Sequence, residues 1–257
     1  MSDDLAGVGR VHVVGDGVDA PADAAAVPDR DAADVVVAVG ESALLELARE
    51  GCSTPILPVD AGTGVRSVPR DRLDAAFDSV RDGRASELEL PVFGADIDGQ
   101  RRGRALFDVM LVTEEAAHIS EFELETPTDR IAQFRADGFV LATAGGTSGY
   151  ARRLDAPVFA PETRAAAVVP VAAFATSLDQ WVVPVPDRGP VLDGRVAREE
   201  AGVTLLVDDR DVGRVPPLTP ITIGVVDALR LYRVPESQSC FAGVEGSPRE
   251  GSPVETS

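Results

Sequence analysis

Residues 137–150 read Asp-Gly-Phe-Val-Leu-Ala-Thr-Ala-Gly-Gly-Thr-Ser-Gly-Tyr, and they concentrate most of the chemistry the sequence offers. The acidic turn Asp137-Gly138 leads into apolar Phe139, Val140 and Leu141. The run delivers the chain into a loop holding Thr143, Gly145, Gly146, Thr147, Ser148, Gly149 and Tyr150. Glycines lack the Cβ that blocks close approach and allow positive φ, so successive N–H groups can converge on an anion. The three hydroxyls add donors and acceptors for a sugar or a phosphate. The same composition also suits a glycine-rich turn with no ligand. A second candidate is Val39-Gly40-Glu41-Ser42 ahead of Ala43-Leu44-Leu45. A carboxylate beside a helix amino terminus can accept a proton or help hold Mg²⁺, and the first helical N–H groups can receive a phosphate. The plainer alternative is an acid that favours the helix dipole.

The rest of the composition narrows the classes. All 24 basic residues are arginine, and the net charge is −19 over 257 residues. An acidic, lysine-free surface of this kind suits solubility at high ionic strength, where charge repulsion is screened within a few ångströms. Without lysine there is no Walker A loop, no Schiff base and no protein-kinase ion pair. No basic stripe appears that would neutralise nucleic-acid phosphates. Cys52, Cys240, His12 and His118 lie too far apart to form a zinc site by spacing, and no metal ligands are assigned. The longest apolar stretch, residues 165–175, is too short for a bilayer and contains Pro170. The acidic start, Met-Ser-Asp-Asp, is unlike a secretory leader, so a cytoplasmic protein is expected.

The elements that must position these residues fall into two styles. Residues 10–14 and 34–39 are short β-branched runs of the kind buried in a parallel sheet, followed by a helix over 43–50, a strand over 54–59 and a helix over 70–82. A turn at the carboxyl end of such a strand is where open α/β sheets bind ligands. From residue 87 the pattern becomes short strands with Pro, Gly and Asp turns, at 88–93, 104–112, 117–125, 139–143, 166–172, 180–185, 203–207, 221–226 and 229–234. The expected fold is therefore α/β plus all-β: an amino-terminal Rossmann-like parallel sheet with helices over 1–86, then an antiparallel β-sandwich over 87–235. Residues 236–257, rich in Ser, Gly, Pro and Glu, read as a disordered tail.

The spacing of residues 136–150 resembles the signature of the ATP-dependent NAD kinases: Asp-Gly, a strand, then a Thr-Pro-Thr-Gly-Ser-Thr-Ala-Tyr loop. Asp137, Gly138, Thr143, Gly146 and Tyr150 are the family's residue types, Thr147 and Ser148 exchange one hydroxyl for another, and Ala144 and Gly145 replace Pro and Thr. The turn at 39–42 resembles the family's Gly-Gly-Asp-Gly, with Glu41 at the position of the proton acceptor and Val39 and Ser42 replacing glycines. Asp60-Ala-Gly-Thr stands in place of the usual Asn-x-Gly turn. Composition adds a likeness to members from halophilic archaea.

The resemblance implies an NAD kinase that transfers the γ-phosphoryl of ATP to the adenosine 2′-hydroxyl of NAD, with Mg²⁺ accompanying the ATP. It places Glu41 as the base. Ser42, Thr113, Glu114, Arg135, Asp137, Ser148, Gly149, Tyr150 and Ala172 would bind NAD, with Thr113-Glu114 at the family's Asn-Glu pair. Gly40, Thr143, Gly145, Gly146 and Thr147 would bind phosphate. The partners implied are NAD, ATP and further copies of the chain in a homodimer or homotetramer with sites near the subunit boundary. The changes at 39–42 leave open a non-catalytic NAD(P)-binding paralogue. Polyphosphate in place of ATP and NADH in place of NAD also remain open.

Overall fold

The computed structural model describes residues 8–115, 118–175, 179–198 and 201–242. The chain opens with parallel strands β1 (Arg10–Val14), the short β2 (Ala25–Ala26), β3 (Val35–Val39) and β4 (Ile56–Val59). Helix α1 (Glu41–Glu50) follows β3, and α2 (Leu73–Arg81) follows β4. All five residues of β3 are buried. Its alternation explains why: Val36 and Ala38 pack with Leu44, Leu45 and Leu47 of α1, whereas Val35, Val37 and Val39 pack with Ala76, Phe77 and Val80 of α2. Gly51 closes α1 in the left-handed region at φ 73°, its N–H bonded to the Leu47 carbonyl.

The remaining elements are β5 (Ser86–Ile97), β6 (Gln100–Ala105), β7 (Asp108–Thr113), β8 (Ser120–Glu125), β9 (Arg130–Ala136), β10 (Gly138–Thr143), the single turn α3 (Tyr150–Arg153), β11 (Ala165–Val171), β12 (Trp181–Pro184), β13 (Gly189–Arg198), β14 (Val203–Val207), β15 (Arg210–Val215) and β16 (Ile221–Arg233). They form a six-stranded antiparallel sheet, in the order β12-β11-β10-β7-β14-β15, and the continuation of the first sheet. That larger sheet runs β2-β1-β3-β4-β16-β13-β8-β9, with β5 pairing β16 and β6 pairing β5. The two sheets enclose one core in which Phe93, Phe122, Ile223 and Leu192 meet Leu111, Leu141, Val168 and Leu205. The α/β-plus-sandwich expectation is therefore borne out.

Several details differ. The segment expected at 104–112 is two strands, broken at Leu106 and Phe107 where the chain passes from the larger sheet to the smaller one. The segments at 221–226 and 229–234 are one strand, β16. It pairs β13 and β5 along its first half, and β5 and β4 toward its end. Strands β6, β9, β13 and β15 were not expected: they are rich in Arg, Gly or Pro, and β9 and β15 are sheet edges, where polar side chains are tolerated. The expected tail begins too early. Glu236 accepts a hydrogen bond from the Ser79 hydroxyl at 2.8 Å, the Gln238 N–H donates to the Ser67 carbonyl at 3.0 Å, and Cys240 is buried. Residues 243–257 lie outside the described residues. Among the described residues no helix is long and apolar enough to cross a membrane.

Phe122 is fully buried between Phe139, edge-on at 5.5 Å, and Phe134 at 5.9 Å. Phe122→Ala is expected to cost about 3–5 kcal/mol through lost burial and the cavity left behind, read as a lowered midpoint in denaturant titration.

Candidate active site

A cleft of about 510 Å³ opens where the two sheets meet, at the carboxyl ends of β3 and β4. Glu41 and Leu45 of α1 line one side. Ala61, Gly62 and Gly64 come from the turn after β4, and Gly145, Gly146, Ser148, Gly149 and Tyr150 from the loop after β10. Phe107 enters from just before β7, Asp108 and Met110 from its start, Leu206 from the end of β14, and Asp208 and Asp209 from the turn after it. No side chain caps α1, whose preceding Gly40 holds φ 85°, so the first helical N–H groups are left for a ligand or solvent.

Glycine brings these segments into contact. A Cβ on Gly64 would overlap the Gly145 carbonyl oxygen and the Ser148 hydroxyl, and a Cβ on Gly146 would overlap the Phe107 carbonyl oxygen. The loop hydroxyls bind the loop itself. Thr143 donates to the Leu106 carbonyl at 2.8 Å and accepts from the Gly146 N–H at 3.2 Å. Thr147 donates to the Ala144 carbonyl at 2.8 Å and accepts from the Phe159 N–H at 2.9 Å. Ser148 donates to the Gly145 carbonyl at 3.2 Å.

The cleft is acidic, and its carboxyls differ in their support. Asp208 accepts the N–H groups of Leu106 at 2.9 Å, Phe107 at 2.8 Å and Asp108 at 3.0 Å. Burial raises the Asp208 pKa, while those donors and Arg49 oppose the rise by favouring its charge. Asp108 is raised to about 7, first by burial and then by the charges of Asp208 and Glu41. Of the pair, Asp108 therefore keeps the proton into the neutral range.

Of the residues singled out from the sequence, Glu41, Gly145, Gly146, Ser148, Gly149 and Tyr150 share the cleft. Gly40 adjoins it at the helix start, whereas Ser42 is exposed without lining it. Thr143 and Thr147 are buried in the loop's own bonding. Thr113, Glu114, Asp137 and Ala172 lie elsewhere, at the far end of the six-stranded sheet, with Arg135 beside them on β9 of the larger sheet. Strand β10 separates Asp137 from Thr143, a span of roughly 20 Å at about 3.3 Å per residue. Thr113 donates to the Ser120 hydroxyl at 3.0 Å. Glu114 accepts from Arg214 at 2.7 Å and Thr204 at 3.0 Å, and the Arg214 bond lowers its pKa. The Arg135 guanidinium lies 5.8 Å from the centre of the exposed Phe174 ring, and Ala172 turns at φ 47°.

Asp108, Asp208 and Asp209 were missed. Asp108 is the one charged residue in the apolar run 105–112, and a charge in such a run asks for a role. Asp208-Asp209 closes the equally apolar run 203–207.

Residues 106–210 match the family model described as the ATP-NAD kinase C-terminal domain. Among sequence relatives, the chain is 27% identical over 189 residues to an NAD kinase of Methanosarcina mazei, covering 72% of this chain and 64% of that one. It is 32% identical over 148 residues to an NAD kinase of Chromohalobacter salexigens, covering 53% and 50%. Over residues 106–210 the chain is thus similar to the carboxyl-terminal domain of the NAD kinases. It spans only about half to two thirds of the length of these relatives. In fold, the chain is similar to an NAD kinase from Archaeoglobus fulgidus in complex with ATP, at a TM-score of 0.69 and 16% identity, with 88% of this chain and 94% of that one covered. The yeast NADH kinase complexed with NADH gives 0.69 and 17%, with 83% and 66% covered.

Two outcomes follow from this geometry. An unfolded aspartate releases its proton near pH 4, whereas native Asp108 holds it to about 7. Between those values the native state binds the extra proton, so this group's contribution to stability falls as pH rises. Asp108→Asn removes the effect: the variant should match the wild type near pH 4 and exceed it by a few kcal/mol above pH 7, measured as unfolding free energy against pH. Gly146→Val must displace the Phe107 carbonyl, so it is expected to lower the unfolding midpoint as well as open the loop.

Proposed function

We propose that this cleft transfers the γ-phosphoryl group of ATP to the adenosine 2′-hydroxyl of NAD. The observation that carries the reading is the convergence of Glu41, the uncapped amino terminus of α1 and the 145–150 loop on one cleft. In the step, the ribose 2′-oxygen bonds to the γ-phosphorus, the bond from that phosphorus to the bridging β,γ-oxygen breaks, and ADP leaves. The hydroxyl proton passes to the Glu41 carboxylate. Phosphate oxygens are received by the N–H groups in the first turn of α1 and by the backbone at Gly145, while the Gly40 and Gly146 N–H groups, bonded to the Val59 carbonyl and the Thr143 hydroxyl, hold those two segments in place. Ser148, Gly149 and Tyr150 hold the dinucleotide. Asp108, placed in the cleft, takes the NAD-binding role that the resemblance gave to Glu114.

Among the described residues no group of three or more His, Cys, Asp or Glu is arranged as a metal cage. Single carboxylates at Glu41, Asp208 and Asp209 fit a Mg²⁺ that arrives with ATP and keeps phosphate and water as its other ligands. Bound there, Mg²⁺ would neutralise phosphate charge.

A non-catalytic NAD(P)-binding role rested on Val39 and Ser42 replacing glycines. Val39 faces the α2 side of its sheet and Ser42 points away from the lining, so neither side chain narrows the cleft. This favours the kinase. Arg135, Asp137 and Ala172, too distant to serve their own cleft, are proposed to face the cleft of a neighbouring copy in a homo-oligomer. A cytoplasmic location suits a protein acting on ATP and NAD.

The test is NADP⁺ formation from ATP, Mg²⁺ and NAD⁺ in multimolar KCl. Glu41→Gln is expected to lower kcat by on the order of a hundredfold or more with little change in NAD⁺ affinity. Unchanged turnover would remove Glu41 from the role. Calorimetric NAD(P) binding by a wild type that makes no product would establish the non-catalytic reading instead.

A further inference from the structure

Behind the cleft, four arginines surround a separate hollow of about 260 Å³. Arg49 comes from the last turn of α1, Arg102 and Arg104 from β6, and Arg210 from the first position of β15, with Gly103, Val207 and Val212 completing the wall. In sequence they are scattered, and the chain as a whole carries −19. Two carboxylates answer the four guanidiniums: Asp209 pairs with Arg49 and Asp227 with Arg104. Among the described residues the Arg102 and Arg210 side chains take part in no ion pair or hydrogen bond, beyond the ladder in which their backbones lie. The Nε of Arg104 is buried with no hydrogen-bond partner, although an unmet buried donor ordinarily costs about 1–3 kcal/mol. The hollow thus keeps two guanidiniums outside any ion pair, an unmet donor and planar groups suited to paired oxygen contacts.

We infer that this hollow is a second binding site, distinct from the nucleotide cleft, for an anion carrying a chain of two or three phosphates. Its volume corresponds to roughly nine waters at about 30 Å³ each, more than a lone phosphate fills. Arg102 and Arg210 take the terminal oxygens, and Arg104 Nε gains the acceptor it lacks. Arg49 ties the site to the cleft. An anion that recruits Arg49 competes with Asp209, which also lines the cleft, so occupancy of the two sites is reciprocally coupled.

The experiment is calorimetric titration with sodium tripolyphosphate, at the lowest KCl concentration that leaves the far-ultraviolet circular dichroism of the wild type unchanged. Three proteins are compared: wild type, Arg102→Gln/Arg210→Gln, and Arg152→Gln/Arg153→Gln beside the cleft. All four substituted side chains are exposed, so folding is retained. Affinity is expected to fall at least tenfold in the first variant, to stay within about twofold of wild type in the second, and to weaken with added KCl. Repeating the comparison with ATP tells a free polyphosphate from a nucleoside triphosphate, by which ligand loses more affinity in Arg102→Gln/Arg210→Gln. Wild-type affinity in that variant, a loss confined to Arg152→Gln/Arg153→Gln, or no saturable binding by the wild type would overturn the inference. None of these readouts requires phosphoryl transfer in the cleft.

Discussion

Everything at the cleft depends on how the chain crosses from one sheet to the other at Leu106 and Phe107. Two residues between β6 and β7 would expose three backbone N–H groups at a buried junction, and such groups need partners. The Asp208 carboxylate takes all three. Its own backbone closes the circuit, with the Asp208 N–H bonded to the Asp108 carbonyl at 2.9 Å. Once the crossing is fixed, it serves as the floor for the loop after β10. Thr143 bonds to the Leu106 carbonyl through its hydroxyl and to the Phe107 carbonyl through its N–H, and Gly146 rests on that same Phe107 carbonyl. The loop's shape is thus inherited from a carboxylate more than sixty positions away in sequence.

This changes the meaning of the glycines and hydroxyls. Read in isolation, Gly146, Thr143 and Thr147 look like ligand groups. In place, they are the fastenings that let Gly145, Ser148 and Tyr150 face the cleft. The same fastening gives the site its unusual acid. Asp108 follows the crossing directly, is half-buried beside a better-supported carboxylate, and so holds its proton to neutral pH.

The legible parts of the chain were those whose signal is local. The β-branched run of β3, the Gly-capped α1 and the 145–150 loop each carry their pattern within a dozen residues, and each lies where expected. Thr113-Glu114 was assigned by resemblance at an apolar run's end, yet the sheet carries that end away from the cleft and brings the run's beginning, Phe107-Asp108, into it. Nothing local separates the two ends of a strand; only pairing with β10 and β14 decides which one meets α1. The four arginines behind the cleft escaped notice for the same reason, coming from three segments that only the tertiary fold unites. The tail was misjudged because its polar composition concealed Cys240, a small side chain that packs against the body.

Strand β16 has a bearing on how the molecule comes to exist. It lies inside the larger sheet, with β4 and β5 against its later residues and β5 and β13 against its earlier ones. Among the described residues it is also the last strand in chain order. Until it is made, β4 and β5 lack the neighbour that joins them, and the sandwich core lacks Ile221, Ile223 and Val225. Pairings of such long sequence separation delay closure. The growing chain must therefore carry a sheet with an open seam until β16 has been made, and an open seam of unpaired strand edges is the surface through which incomplete chains associate.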